Sequence, residues 1–347
     1  MWGALAVVTL VAVATPGASA VPVTPATSAT PATAATAATA AGGAHHPGLT
    51  ISAASTSGTR GPPTIRPLTT GPVDAANAPD PSVLAVGGTY YAYTTNDGVS
   101  DAPVLESTNL VDWRFVGDAM PVLPAWVEYG YTWSPSVAPD PAGGYEMFYD
   151  AYDAVDGVQC IGRATAPSPI GPFVDPSPSP FVCQVSLGGS IDASVYRSRS
   201  GDVLVWKSDR TDDAIWAAPL GRDDASLVGS PVQLLTATAG WEDGIVEGPA
   251  LADVGGTIYL FFGGNRWTTA DYAIGAVACA SPLGPCQAAS DTPALASGDG
   301  ATGPGAPSFF VANHQLVMAY AAWVDGIVAG PDGRRGLFLA TVTAASP

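Results

Sequence analysis

Three acidic residues are the clearest candidates for chemistry in this chain. Asp80, Asp192 and Glu247 each stand just before a short apolar segment that leads through a turn into an aromatic-rich one. Carboxyl groups that lie close together repel one another when ionised and lose hydration when buried. A fold that gathers three of them loses stability by doing so, which chemistry explains better than structure does. They can act together only if the fold places them side by side.

Glycoside hydrolysis is a reaction that uses such a set. One carboxylic acid protonates the leaving-group oxygen, and a second carboxylate activates water or attacks the sugar. A third carboxylate can raise the proton affinity of the acid by like-charge interaction and hold its orientation. Other chemistries have less support, because His314 is the only histidine after residue 70. The chain also has no GxSxG motif, no Walker loop and no GxGxxG motif after a strand.

A repeat of about 56 residues carries these acids. Five stretches share a short step ending in Pro-Ser, Ala-Ser or a similar pair, then an apolar residue, a turn and an aromatic-rich strand. The first residues of the stretches are spaced by 54, 58, 56 and 58 positions. A second series agrees, since IGRATAPSPIGPF and IGAVACASPLGPC lie 113 residues apart, two repeat lengths. The first residues are Asp80, Ser134, Asp192, Gly248 and Ala306, with Glu247 beside Gly248.

Repeats of this length with several short strands each predict an all-β fold, a five-bladed β-propeller with four-stranded antiparallel blades over residues 71–347. A β-sandwich with chance internal similarity is the alternative. In a propeller, the first strand of each blade lines the central axis, so equivalent positions of the repeats converge. Ser134 and Ala306 indicate that the fold itself requires no acid there. Taken singly, Asp80 could start a turn and Asp192 could cap a strand.

Composition narrows the function further. The chain has 347 residues, with 12 Lys and Arg against 30 Asp and Glu, and a formal net charge of −18. This balance argues against nucleic acid as a partner, because phosphate binding needs clustered cations. It also argues against an anionic membrane surface. The 47% hydrophobic content is enough for a packed core, and we expect a monomer.

The beginning of the chain is typical of an exported protein. Residues 1–20 contain an apolar run too short to span a bilayer, followed by Ala18-Ser19-Ala20, a small-residue cleavage site. A misplaced start or an Ala-rich tail is the alternative, because the first residues lack Lys and Arg. Residues 21–70 are rich in Ala, Thr and Pro and are predicted to form a disordered linker. The expected location is extracellular, with no membrane contact of the mature form.

Four cysteines lie in the repeat region, and export makes disulfides plausible. Four cysteines allow three connectivities. We predict the pairs that close the shortest loops, Cys160–Cys183 and Cys279–Cys286. No pair has CxxC spacing, so zinc is not expected.

The repeat region resembles glycoside hydrolase family 43, whose members are five-bladed propellers. The matching pieces include ANAPDPSVLAVGGTYYAYTT, TWSPSVAPD, GSIDASVYRSRSGDVLVWKSD and VEGPALADVGGTIYLFFGG, in that order, within residues 72–345. Related fructoside-cleaving propellers carry Arg-Asp-Pro and Glu-Cys motifs. The corresponding residues here are Ile191-Asp192-Ala193 and Glu247-Gly248, which favours family 43.

The resemblance implies that Asp80 is the general base, Glu247 the general acid and Asp192 the carboxylate that tunes and orients the acid. It implies hydrolysis with inversion of arabinose- and xylose-containing plant polysaccharides, without a required cofactor. Relatives often have histidine where this chain has Ala306 and Ala321. In some of them a central histidine helps hold a metal or a water cluster. Both replacements argue against a structural calcium.

Aromatic and cationic residues near the strand starts are candidates for sugar binding. They are Trp133, Trp241, Tyr131 and Arg335, and ordinary packing between blades is the alternative for each aromatic. The favoured function is an α-L-arabinofuranosidase or arabinan-degrading enzyme. A β-xylosidase is the alternative of the same class. A non-catalytic glycan-binding propeller is the alternative of another class.

Overall fold

The chain folds into five antiparallel β-sheets arranged in sequence order. The computed structural model describes residues 61–209 and 213–345, and the predicted signal peptide and most of the predicted linker lie outside these ranges. Strand β1 (Thr64–Pro67) comes first. Blade 1 contains β2 (Ser82–Val86), β3 (Thr89–Tyr93), β4 (Pro103–Ser107) and β5 (Arg114–Asp118). Blade 2 contains β6 (Trp133–Pro139), β7 (Tyr145–Asp153) and β8 (Val158–Ala166).

The remaining strands complete the ring. Blade 3 contains β9 (Ser190–Tyr196), β10 (Val203–Ser208), β11 (Ala214–Pro219) and β12 (Val232–Thr236). Blade 4 contains β13 (Val246–Val254), β14 (Thr257–Gly264) and β15 (Ala273–Cys279). Blade 5 contains β16 (Thr302–Ala312), β17 (Gln315–Trp323) and β18 (Arg335–Thr343), with β1 at its outer edge. Three short 3₁₀ helices lie at Val185–Leu187, Gly240–Glu242 and Val324–Gly326. The predicted five-bladed propeller is confirmed.

Strand β1 closes the ring between distant parts of the chain. It pairs with β18 in antiparallel register, with Thr64 opposite Thr343 and Pro67 opposite Ala340. Blade 5 therefore contains strands from both ends of the described chain. The predicted linker, which extends to residue 70, is too long at this end, because Thr64–Pro67 already belongs to a sheet.

Blades 2 and 4 have three strands, so the prediction of four strands in every blade is wrong for them. The segments after β8 and β15 are rich in proline, which lacks the N–H that a continuous ladder needs. Single bridges replace a fourth strand, at Thr165 with Val174 and Ile161 with Val182 in blade 2, and at Ile274 with Leu295 in blade 4.

Disulfides hold these irregular segments against their blades. Cys160 of β8 is bonded to Cys183, and Cys279 of β15 is bonded to Cys286. Both predicted pairs are confirmed. Each bond lies in one of the two blades whose outer segment cannot pair along its full length.

The hydrophobic core consists of five clusters, one at each contact between neighbouring blades. Side chains alternate between the two faces of a strand, so Val83 packs toward blade 5 while Leu84 packs toward blade 2. Blades 2 and 3 meet around Phe148 and Trp206. Apolar area on both faces of each blade is therefore removed from water. The core is divided among the contacts between blades and has no single centre. The axis is left free of large apolar side chains.

The two disulfides are expected to contribute unequally to stability. In the loop-entropy description, the 23-residue separation of Cys160 and Cys183 corresponds to about 3 kcal/mol and the 7-residue separation of the other pair to about 2 kcal/mol. We therefore expect the C160A/C183A variant to unfold at lower urea concentration than C279A/C286A, measured by fluorescence. Equal losses, or a larger loss for the second pair, would contradict this expectation.

Candidate active site

A cavity of about 570 Å³ opens where the first strands of the blades begin. This volume lies within the range of small-molecule sites. The three acids predicted from the sequence, Asp80, Asp192 and Glu247, all line it. Its other lining residues come from the starts of inner strands, the ends of the second strands, the β14–β15 loop and the loop before β18: Asn77, Pro79, Thr95, Asn96, Trp133, Ile191, Lys207, Asp209, Gly248, Trp267, Tyr272, Ala306, Trp323, Ala329, Gly330, Gly333 and Arg335.

The first residue of every repeat has a left-handed backbone. The φ angles are 51° at Asp80, 43° at Ser134, 58° at Asp192, 54° at Gly248 and 51° at Ala306. This conformation costs roughly 1–2 kcal/mol for a residue with a side chain. In blades 2 to 5 the inner strand also shifts register beside it, as in a β-bulge. Bulges re-aim side chains, so here they turn repeat position one toward the cavity.

A set of hydrogen bonds connects these positions across four blades. The Thr95 hydroxyl donates to Asp80 Oδ2 at 2.8 Å and accepts the backbone N–H of Ser134 at 3.0 Å. The Ser134 hydroxyl donates to Asp192 Oδ1 at 2.7 Å. Gly248 N–H donates to Asp192 Oδ2 at 2.9 Å. The backbone groups freed by the bulges are thus satisfied by side chains of the neighbouring blade.

Asp80 is held by a buried cation. Arg335 Nη1 donates to Asp80 Oδ1 at 2.9 Å. The guanidinium lies over two aromatic rings, 5.9 Å from the centroid of Trp267 and 5.6 Å from that of Tyr272. Stacking of this kind fixes the plane of the guanidinium. Asp80 therefore has a defined orientation and a positive charge beside it.

Asp192 lies at the centre of the negative charge. Burial raises its pKa, and the charges of Glu247 and Asp80 raise it further, to about 6. Lys207 and the hydrogen bond from Ser134 act in the opposite direction. A buried carboxyl between two other acids holds its proton more tightly than one in water.

Glu247 is placed between a lysine and a tyrosine. Lys207 Nζ lies 3.5 Å from Glu247 Oε2 and 3.2 Å from Asp213 Oδ1. The buried Tyr272 hydroxyl is hydrogen-bonded to Glu247, and burial together with this carboxylate raises the pKa of Tyr272. Gly263 lies opposite Glu247 in the sheet. A Cβ there would lie 2.4 Å from the Tyr272 hydroxyl oxygen, so glycine allows Tyr272 to reach Glu247.

Of the predicted sugar-binding residues, Trp133 and Arg335 line the cavity and Tyr131 lies beside it. The Tyr131 ring is 6.4 Å from that of Trp133 and 44% of the residue is exposed. Trp241 is not among the residues that line the cavity. Its indole stacks on Phe262 and donates to the carbonyl of Ser290, because Gly264 leaves room for the ring inside blade 4.

Three large cavity residues were not predicted from the sequence. Trp267 and Trp323 stack with ring centroids 5.9 Å apart, and Tyr272 lies beneath Arg335. They come from the end of β17 and from the β14–β15 loop, whereas the predicted sugar-binding aromatics lie in the loops that enter the blades. The sequence could have indicated these residues, because the end of β17 and the β14–β15 loop lie at the same end of the propeller as the loops that enter the blades.

Comparison with known proteins agrees with this geometry. The family model described as "Glycosyl hydrolases family 43" matches residues 69–342. The chain belongs to this family. The family consists of glycoside hydrolases that invert anomeric configuration.

Individual relatives are more distant. An arabinoxylan arabinofuranohydrolase of Bacillus subtilis is 28% identical over 258 residues, 59% of this chain and 48% of that protein. The chain thus spans about half the length of this curated relative. The structure of a thermostable family-43 glycoside hydrolase has a TM-score of 0.66 and 27% identity, covering 80% of this chain and 91% of the other. The structure of an endo-1,4-β-xylanase of Bacteroides thetaiotaomicron has a TM-score of 0.67 at 23% identity, covering 81% and 97%, which shows the shared fold.

The donor set at the axis does not fit a calcium ion, which takes about six to eight oxygen ligands. The channel beneath the cavity has a volume of about 40 Å³, and its carboxylates are Asp80 and Asp192. All four of their oxygens already accept hydrogen bonds. Across residues 61–209 and 213–345, no group of three or more His, Cys, Asp or Glu side chains is arranged to hold a metal.

No helix within residues 61–209 and 213–345 has the length and hydrophobicity to cross a bilayer.

The raised pKa of Asp192 predicts a stability that falls as the pH rises. The folded chain binds more protons than the unfolded chain between the ordinary value of 3.8 and about 6, so the free energy of unfolding decreases through this window and is level above it. Relative to D192N, we expect the wild type to lose on the order of 2 kcal/mol between about pH 4 and about pH 7. Urea unfolding of both proteins measures the difference, and a difference that does not change with pH contradicts the prediction.

Proposed function

We propose that this protein is a secreted, inverting glycosidase that removes α-L-arabinofuranosyl units from arabinose- and xylose-containing plant polysaccharides. The observation that carries the proposal is the meeting of Asp80, Asp192 and Glu247 in one cavity. Family membership supports the reaction class. The name of the Bacillus subtilis relative supports arabinoxylan as the substrate. The two disulfides support an oxidising, extracellular location.

The three carboxyl groups take different roles because their partners differ. Asp80 is the general base, and Arg335 and Thr95 aim its carboxylate by two hydrogen bonds. Glu247 is the general acid that protonates the leaving oxygen. Asp192 is the negative charge next to Glu247 that favours its protonated form and keeps it aimed at the bond to be cleaved.

The cavity suits a neutral sugar. Its two cations, Lys207 and Arg335, each form an ion pair with a carboxylate of the site, which offsets the positive charge that an acidic substrate would need. Trp133 and Trp267 offer aromatic faces, on which the C–H surface of a sugar ring can pack. Pairing of the cations favours an arabinose or xylose unit over a uronic acid.

An aromatic strip extends from the cavity over blade 2 and supports a polymeric substrate. It consists of Trp133, Tyr131 and Tyr152, with ring centroids 6.4 Å and 5.6 Å apart in that order. Trp133 lines the cavity, while Tyr131 is exposed. Successive rings at this spacing can support neighbouring sugars, so we assign the strip to the part of the polysaccharide that leaves.

Substitution of the acid and the base tests the assignment of roles. E247Q and D80N should each lower kcat on an arabinoxylan by about 10²- to 10⁴-fold. A substrate with a strongly acidic phenol as leaving group needs little protonation, so E247Q should recover much of its activity there and D80N should not. The exposed Glu128 lies in the loop before β6, and E128Q is the matched control with wild-type rates. Equal recovery of both variants contradicts the assignment.

The same assay separates the alternative functions. Faster hydrolysis of nitrophenyl xyloside than of nitrophenyl arabinofuranoside favours a β-xylosidase. Binding of oligosaccharides without any turnover favours the glycan-binding propeller.

Substitution in the strip tests the polymeric substrate. Y131A should lower kcat/KM on arabinoxylan by about tenfold, the loss of roughly 1–1.5 kcal/mol for one aromatic contact. It should leave nitrophenyl arabinofuranoside hydrolysis unchanged, because the small leaving group does not reach the strip. Tyr129 lies in the same loop and is 66% exposed, so Y129A is the matched control. Equal loss on both substrates, or none on the polymer, contradicts this assignment.

A further inference from the structure

A fourth carboxyl group lies behind the three that line the cavity. Asp150 of β7 is completely buried. It occupies a defined place in the repeat, opposite the residue that precedes the left-handed position. The equivalent residues of the other blades follow from the registers at Ile191, Glu247 and Gly305 and from the hydrogen bond of Thr95 N–H to Pro79. In blade order they are Thr95, Asp150, Lys207, Gly263 and Ala321.

Five different residue types at one position show that the propeller needs no acid there. Thr95 and Asp150 nevertheless share a task, which is to accept the backbone N–H of the left-handed residue in the next blade. Thr95 accepts it from Ser134 at 3.0 Å. Asp150 accepts it from Asp192 with both oxygens, at 3.0 and 2.9 Å. Because a hydroxyl satisfies this N–H in blade 1, a carboxyl group is more than the backbone requires.

The surroundings of Asp150 disfavour a charge. Among the described residues no lysine or arginine forms an ion pair with it, and the charged groups facing it are Asp192 and Asp80. Burial, followed by the charge of Asp192, raises the pKa of Asp150. Two buried carboxyls in such proximity hold a proton between them to a higher pH than either would hold it alone.

Ser134 connects the two carboxyls. Its hydroxyl donates to Asp192 Oδ1 at 2.7 Å and also interacts with Asp150. With the shared proton on Asp150, that O–H donates to Ser134 Oγ, and Ser134 O–H donates to Asp192. Thr95 makes the equivalent donation in blade 1, where its hydroxyl donates to Asp80. A neutral Asp150 thus repeats in blade 2 the arrangement that Thr95 makes in blade 1.

We propose that Asp150 is a positioning residue that keeps the shared proton away from Asp192, so that Asp192 remains charged and aimed beside Glu247. This inference rests on the proposed roles of Asp192 and Glu247. Asp150 touches neither substrate nor solvent, and no proton moves through it during the reaction. Its contribution is the direction of the hydrogen bonds from Asp150 through Ser134 to Asp192.

Substitutions that keep or remove the hydrogen-bond donor test the proposal. D150N and D150T keep a neutral donor and an acceptor for the Asp192 N–H, so kcat should stay within about threefold of wild type. D150V has the shape of threonine without its hydroxyl. It should lower kcat by about tenfold or more at unchanged KM, since small displacements of catalytic groups have effects of this size. D150N cannot lose a proton, so its activity should persist to higher pH than that of the wild type.

A measurement without substrate distinguishes failure of this inference from failure of the proposed function. The unfolding free energy of the wild type should decrease relative to D150N as the pH rises, because only the wild type has a buried carboxyl at position 150 to ionise. Loss of this trend overturns the inference even if no substrate is hydrolysed. If D150V does not fold, equal pH–rate profiles of wild type, D150T and D150N likewise overturn it. Wild-type kcat in a folded D150V also overturns it.

Discussion

The site depends on one backbone constraint, which is the left-handed residue at the start of each inner strand. In blades 2, 3 and 4 its N–H donates to a side chain of the preceding blade. Thr95 accepts it from Ser134, Asp150 from Asp192, and Asp192 from Gly248. The contacts that align adjacent blades are therefore the contacts that orient the acids. Closing the ring of blades therefore also orients the acids of the site.

The electrostatic cost of bringing the acids together is reduced by nearby cations but is not removed. Arg335 offsets the charge of Asp80, and Lys207 offsets that of Glu247. Asp192 forms no ion pair with a lysine or arginine among the described residues, and its pKa is raised to about 6. The site thus contains one carboxyl group whose ionised form is disfavoured by its surroundings. This is expected where neighbouring acids need unequal proton affinities. Apolar packing between the blades, on both faces of each sheet, stabilises the fold and offsets this electrostatic cost.

The repeat made much of the fold predictable from the sequence. The spacing of Asp80 and Asp192 fixed their equivalence, and equivalence in a ring implies convergence. Glu247 was recognisable because it adjoins Gly248, the repeat position itself. The strand count failed in blades 2 and 4 because proline-rich segments there lack the donors for a full ladder, while the repeat period stays the same.

Aromatic residues were harder to place than acids. Trp241 and Trp267 lie in loops at the same end of blade 4, and their sequences do not reveal which ring turns inward. That choice is made by Gly264, which accepts Trp241 inside the blade. Asp150 was hidden for a related reason. It lies one strand away from the repeat position, and only the register across the sheet shows that it belongs to the site.

The proline-rich segments of blades 2 and 4 have a consequence for self-association. An exposed outer strand is a template on which another polypeptide can add by main-chain pairing. In blade 2 that margin is occupied by hydrogen bonds of Ile161 and Thr165 to an irregular segment, and a covalent bond prevents the segment from peeling away. Blade 4 is shielded in the same manner. The outer margins of blades 2 and 4 are therefore unsuited to pairing with a strand of another polypeptide.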